Sequence, residues 1–393
     1  MKQWHNWIKI FFSALVFGTT GGLIQAQEPA ALERVTTLSL PPTQSSTVSG
    51  FNVRAIDVWV DNQVAAVSSA SLVHLVDLAN IANPTVHTIE LQQGDDSWDA
   101  KLKDGFLYVG LQSSADGAAL IVYDVQNLSS PVEVARFRSE EFLGTHNLFV
   151  AGNVVFLVTV KTTLRNGENQ VPAERNSRLW MLDVSDPANP KDLGPVLDTN
   201  TEMPITRNHD LTVVGNRAYI AAWVNGIYIV DFEQLDNPQN ITYQTMMHHQ
   251  YKPAASSFNF PNPSTHNLWP SEDGNVLWST DEIVGDAVRA FDISDLSNPR
   301  LLDVYQISER SLPHNVIVQG DYAYVSHYLD GLRVLQLVDE KIVEVTSRDT
   351  VGNNNRFNSF RGAFGVFPLE NHVLVSDTFN GLLIFEKQGA LSL

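Results

Sequence analysis

Four histidines recur at one kind of position. His146, His209, His266 and His314 each open a run of alternating apolar residues, followed at once by Asn147, Asp210, Asn267 and Asn315. Imidazoles that converge on one point are ligands for zinc, copper, iron or nickel, with nitrogen about 2.0–2.1 Å from zinc as a guide. The chain has no cysteine, so one transition metal ion here (Cu, Fe or Zn) is expected to be ligated by nitrogen and water. Three other runs place Ile56, Trp98 and Phe364 at the equivalent position, followed by Asp57, Asp99 and Gly365. An apolar wall beside an open metal position holds a substrate and limits water. The four histidines are therefore candidate ligands of a metal-dependent oxidoreductase or lyase, with Ile56, Trp98 and Phe364 as its substrate wall. Asp281-Glu282 and His327 each follow a strand and are candidates for a base or an extra ligand. His248, His249 and Tyr251 fall in a long connection that is a candidate lid.

The elements that carry these residues repeat along the chain. Asp77 and Pro84, Asp124 and Pro131, Asp183 and Pro190, Asp231 and Pro238, and Asp292 and Pro299 bound one phrase, with Asp and Pro seven apart each time. Each phrase follows an apolar run rich in β-branched and aromatic residues, which reads as a strand. The Asp accepts local backbone N–H bonds, and the residue before Pro is held extended. Upstream lies a hairpin with a tight turn at Gly152-Asn153, Gly215-Asn216 or Gly320-Asp321. Each unit thus has four antiparallel strands, A to D. Equivalent positions are 42 residues apart from Asp57 to Asp99 and 63 apart from Asn147 to Asp210. Four strands at that period make a propeller blade. Strands A start near Ile56, Trp98, His146, His209, His266, His314 and Phe364, and the last unit lacks its strand D, which residues 33–40 can supply. The expected fold is all-β, a seven-bladed β-propeller over residues 27–393, closed by an N-terminal strand completing the C-terminal blade. Closure removes the open edges that make sheets aggregate.

Insertions at 161–177, 246–265 and 348–361 crowd the face where strand A begins, and long loops in a compact domain carry function. That face is a candidate scaffold for a protein, glycan or small-molecule ligand. A structural alternative competes for the histidines. Side chains alternate along a strand, so a histidine and its polar neighbour cannot both face the axis. If Asp57, Asp99, Asn147, Asp210, Asn267 and Asn315 face inward and cap backbone N–H groups, the histidines pack between blades. Duplication also copies a residue without selection for chemistry. Both readings stay open.

The segments AYVSHYLDGLRVLQL (323–337), AYIAAWVNGIYIVDFEQLDNP (218–238) and LWMLDVSDPANP (179–190) resemble the LVIVD-repeat propellers over about residues 50–385. The histidine-led openings and THNLWPSEDGNVLWSTDE (265–282) are similar to secreted choice-of-anchor B relatives. The resemblance implies a surface-exposed or exported bacterial propeller, most of whose relatives have no assigned activity. Blade 6 departs from the phrase, with Leu337-Val338-Asp339-Glu340 in place of Asp and Asn-Pro.

Composition narrows the partners. Lys and Arg total 25 against 44 Asp and Glu, a formal charge of -19; this disfavours nucleic acid and anionic membranes. Lys2 and Lys9, the apolar run from Ile10 to Phe17 and small residues up to Ala26 form the pattern of a secretory signal peptide over 1–26. Its removal takes two lysines and no acid, which leaves -21. No other run approaches the roughly 20 apolar residues of a membrane-spanning helix. The mature chain is therefore expected to be an acidic monomer outside the cytoplasm, periplasmic, secreted or at the cell surface. No nucleophile elbow, phosphate loop or dinucleotide glycine pattern is present.

Overall fold

A computed structural model describes residues 29–44, 52–160, 177–251, 263–352 and 360–392. The expected signal peptide lies outside these, as do most of the insertions at 161–177 and 246–265 and the centre of that at 348–361. Seven four-stranded antiparallel sheets form the blades. Blades 1 to 6 occupy residues 58–90, 96–138, 144–195, 210–249, 265–305 and 316–348. Blade 7 pairs Ala363–Pro368, His372–Asp377 and Gly381–Gln388 with the N-terminal strand Ala31–Leu38. That strand begins two residues before the expected 33–40, and its register sets Leu32 against Lys387 and Leu38 against Leu382. The N-terminal strand thus completes the C-terminal blade and closes the ring.

Strands B and C are apolar on both faces because each blade is covered by its neighbours. Ala66, Val73 and Leu75 of blade 1 pack with Leu107, Val109 and Ile121 of blade 2, and similar clusters fill the other junctions. Strand D lies at the rim and is half-exposed, as in Thr85–Glu90 and Lys191–Pro195. The repeated Asp starts the turn into strand D. Asp77, Asp124, Asp183 and Asp292 each accept the backbone N–H two residues on, at 2.9–3.0 Å. Blade 6 departs for a simple reason: Asp339 and Glu340, both with positive φ (49° and 59°), form a two-residue hairpin turn between Leu332–Val338 and Lys341–Arg348.

The axis-facing strands A depart from simple alternation. In blades 2, 3, 5 and 7 the ladder skips one residue, between Ser97 and Asp99, Thr145 and Asn147, Thr265 and Asn267, and Ala363 and Gly365. The skipped residues are Trp98, His146, His266 and Phe364. In blades 1, 4 and 6 the ladder begins late, and the N–H groups of Ile56, His209 and His314 bond Ser68, Ala221 and Ser326 instead. A β-bulge of this kind sets two residues of one strand against one of the other and re-aims a side chain. The expectation that a histidine and its neighbour cannot share the axis fails here, because the bulge breaks the period of two.

Bulge carbonyls also join the blades. The hydroxyls of Ser68 and Ser376 donate to the carbonyls of Trp98 and Ile56 in the following blade, at 2.8 and 2.7 Å. Thr280 and Ser326 donate in the same way to His314 and Phe364. Further in, Trp59 of blade 1 meets Phe149 of blade 3 and Phe367 of blade 7 edge-on, with ring centroids 5.3 and 5.1 Å apart. Trp59 and Phe149 line a small second hollow together with Asp57, Lys101 and Asn147.

Candidate functional site

Each blade sends residues to the axis at fixed register positions. The bulge residue forms one tier, the residue after it a second, and the residue two beyond its strand-B partner a third. The third tier reads Ala70, Gln112, Val160, Trp223, Glu282, Tyr328 and Thr378, offset by two from Ser68, Gly110, Val158, Ala221, Thr280, Ser326 and Ser376. Repetition copied the geometry, and the side chains of this tier then diverged.

A cavity of about 360 Å³ opens at this end. Its collar is a closed ring of six side chains: Trp98, His146, His209, His266, His314 and Phe364. Adjacent ring centroids lie 5.9, 4.5, 4.0, 4.3 and 4.1 Å apart, and Phe364 closes on Trp98 at 6.2 Å. Trp98 and Phe364 line the cavity as expected of a wall. Ile56 is not among its lining residues; it is buried with Tyr328 and Phe364.

Hydrogen bonds fix the imidazole tautomers. The Nδ1–H of His266 donates to the His314 carbonyl at 3.0 Å, and that of His314 to the Phe364 carbonyl at 2.6 Å. His146 Nδ1 donates to Gln112 Oε1 at 2.9 Å. A carbonyl oxygen only accepts, so all three Nε2 atoms carry lone pairs. The Nε2 atoms of His209 and His146 lie 3.0 Å apart. The Nε2 atoms of His266 and His314 face Glu282, 3.5 and 3.8 Å from its carboxylate oxygens. Tyr328 holds that carboxylate from the other side through its hydroxyl.

Burial decides the charge of the arc. It pushes His146 down to about 4, with Asp99 opposing, and His314 down to about 3. His209 and His266 fall well below the usual histidine range, through burial first and neighbouring histidines second. The arc is neutral near pH 7. His209, His266 and Glu282 bring one ligand atom each to within 4.8 Å of one another, close enough that they could hold a metal ion. Among the described residues this triad is the metal-ligand cluster, and it selects two of the four expected histidines and adds Glu282.

Below the collar lies the Asp/Asn tier. Asp99 accepts the Leu148 N–H at 2.7 Å and Asn267 accepts the Val316 N–H at 2.9 Å, each across a blade junction. Asn267 also donates to Asp210 at 2.7 Å. Lys101 reaches up from the next tier to Asp57 at 2.8 Å and to Asp99. Gly365 keeps this tier closed, because a Cβ there would lie 2.6 Å from Ser376 Oγ and 3.0 Å from Asp57 Oδ1.

Trp223 and Tyr328 cover the cavity in an unusual backbone conformation. Both have positive φ, 43° and 42°, which costs a bulky residue about 1–3 kcal/mol and tends to occur at ligand clamps. Each bridges to the residue just before the next blade's bulge, Trp223 to Thr265 and Tyr328 to Ala363. The following turns end in Asn225-Gly226 and Asp330-Gly331, and that shared pattern was the available sequence signal for both. Gln112, Trp223, Tyr328, Phe360 and Lys101 were all missed by reasoning from sequence.

Other candidates lie elsewhere. His327 is fully buried, 3.6 Å from Asp330, and does not line the cavity. His248 and His249 belong to the rim strand Thr242–His249; His248 stacks on Tyr228 with centroids 3.9 Å apart, so neither forms a lid. Asp281 and Tyr251 join a buried network with Arg289, Asp286 and Thr265 behind the wall.

Comparisons with known proteins agree on the fold. The LVIVD repeat matches residues 94–139, 207–242 and 313–335, which coincide with blades 2, 4 and 6. No curated protein matches the sequence. A chain of the mitotic checkpoint complex crystal structure is 11% identical, with a TM-score of 0.58 over 95% of this chain and 99% of that one. BamB from Moraxella catarrhalis is 13% identical, with a TM-score of 0.50 over 91% and 98%. The computationally designed Ika8 protein is 11% identical, with a TM-score of 0.50 over 90% and 99%. At such identities the likeness is one of fold. With the seven blades closed into a ring and the repeat matched in three of them, the chain is a seven-bladed β-propeller that is similar to LVIVD-repeat proteins in blades 2, 4 and 6.

Proposed function

We propose that the channel mouth is a transition-metal centre held by His209, His266 and Glu282, and that the protein is a metal-dependent enzyme, an oxidoreductase or lyase, acting on a small molecule in the cavity. One observation carries the reading. The ligand atoms of His209, His266 and Glu282 lie within 4.8 Å of one another in a half-buried site, an electron-rich arrangement that a divalent cation resolves. The backbone carbonyls that fix His266 and His314 act as the outer-shell partners that orient metal-binding imidazoles and raise their basicity. A bound metal would supply Lewis acidity, or electron transfer if it is copper or iron.

His146 and His314 flank the triad, orient its members and hold proton positions at their Nδ1 atoms. Tyr328 orients Glu282. Trp98 and Phe364 face the arc across the cavity and exclude water. The scaffold reading rests on the family resemblance, the acidic composition and a loop-rich face whose insertions fall largely outside the described residues, while the metal reading rests on the proximity of three ligand atoms. Export is part of the proposal on the strength of the basic, apolar and small-residue order of residues 1–26. Calorimetric titration of untagged protein with zinc tests the centre. One equivalent is expected to bind, and Glu282→Gln to weaken it by at least about tenfold. Zinc binding unchanged in that variant contradicts the ligand set.

A further inference from the structure

The side chains around the cavity define a ligand class. Trp98, Trp223, Tyr328, Phe360 and Phe364 line it together with the histidine arc. Their rings meet edge to face: Trp98 with Phe364 at 73°, and Tyr328 with Phe364 and Phe360 at 87° and 86°. Such pairs present flat apolar faces to the space between them. Trp223 and Tyr328 hold their places through left-handed backbone, at equivalent positions in blades 4 and 6. They are the two aromatic residues with positive φ among the described residues, and both line the cavity.

Charge sets the second limit. No lysine or arginine is among the described residues that line the cavity. The cation just below, Lys101, is already engaged by Asp57 and Asp99. In the metal-free protein an anionic ligand would meet three carboxylates, Asp57, Asp99 and Glu282, and no unengaged side-chain cation among the described lining residues. The volume, about 360 Å³, is at the small end of ligand pockets.

We infer that the cavity binds a small ring compound that carries no negative charge, whose flat body lies against Trp98, Phe364 and Trp223, and whose single oxygen or nitrogen donor points to His209, His266 and Glu282. The class deepens the metal reading and rests on it for the donor's direction, while the apolar body is recognised by the collar alone. The arc and the apolar wall face each other across the mouth, so one molecule spans both.

The probes are benzyl alcohol, benzylamine and benzoate, which share a ring and differ in charge. Binding is followed by tryptophan fluorescence and by saturation-transfer NMR, with zinc-loaded and metal-free protein. Benzyl alcohol and benzylamine are expected to bind the metal-free protein at least tenfold more tightly than benzoate, and benzyl alcohol to bind the zinc form as well. Trp98→Ala should weaken it at least tenfold while zinc affinity stays the same, and Trp223→Ala should repeat the effect if the first variant folds poorly. Preference of the metal-free protein for benzoate, or no benzyl alcohol signal from wild-type protein at millimolar concentration, overturns the ligand class. Binding of benzyl alcohol to the metal-free protein, with no response to zinc, retains the class and contradicts the metal centre instead.

Discussion

Replacing Lys101 by Met should expose the electrostatics beneath the cavity. Lys101 Nζ bonds Asp57 at 2.8 Å and also Asp99, and the three side chains are only 8%, 14% and 2% exposed. Met keeps most of the length and volume, so the change removes charge with little cavity. Breaking a buried ion pair by removing one partner costs about 3–5 kcal/mol, because the remaining charge stays desolvated. Here two carboxylates are left, and protonation is the available relief. Burial already pushes Asp57 well above its ordinary value, with Lys101 opposing and Asp99 reinforcing the rise. Without Lys101 the folded state holds a proton that the unfolded chain releases above about pH 4. The folded state then binds more protons, so stability falls as pH rises, by up to about 1.4 kcal/mol per pH unit for each such group. Urea denaturation of wild type and variant at pH 7 and pH 5 reads this directly. The expected loss is about 3–5 kcal/mol at pH 7 and distinctly less at pH 5. A loss below about 1 kcal/mol, typical of an exposed pair, or one equal at both pH values, refutes the reasoning.

Gly365→Ala should cost about 1–3 kcal/mol in the same assay, since its Cβ would press on Ser376 Oγ and Asp57; an unchanged midpoint would mean that the tier is not closed there. Ser376→Ala removes the bond to the Ile56 carbonyl and the acceptor for the Gly365 N–H, and should cost about 1–3 kcal/mol. A loss matching that of an exposed serine would count against the inter-blade staple. His74, fully buried on strand C of blade 1, is held down to about 4 by burial. The unfolded chain takes up a proton below about pH 6.5 that folded His74 refuses, so stability should fall from pH 6.5 towards pH 4 by up to about 1.4 kcal/mol per unit. His74→Gln should reduce that slope, and an identical pH profile in the variant would contradict it.

The ring was legible because its signals are local. An Asp and a Pro seven residues apart mark each of five C–D turns, and Gly-Asn or Gly-Asp marks hairpins. The site was only partly legible. A bulge adds one residue without changing composition, so His146 and Asn147 read as opposite faces although both line the cavity. Lys101, in an alternating strand, looks like a solvent-face lysine until the axis is built around it. Glu282 stood out as an acid after strand B, but its place opposite His266 depends on a register offset that becomes visible only once the blades are paired. His248 and His249 went the other way: an apparent loop is the end of a rim strand, because strand D of blade 4 runs on to His249.

The central claim is that His209, His266 and Glu282 hold a metal. Its most direct test is the metal content, by mass spectrometry, of untagged protein from an exporting host, beside a His209→Ala, His266→Ala, Glu282→Gln variant that retains its fold. The account predicts close to one equivalent of copper, iron or zinc in the wild type and loss of it in the variant. A metal-free wild type that also fails to take up added copper, iron or zinc would contradict it.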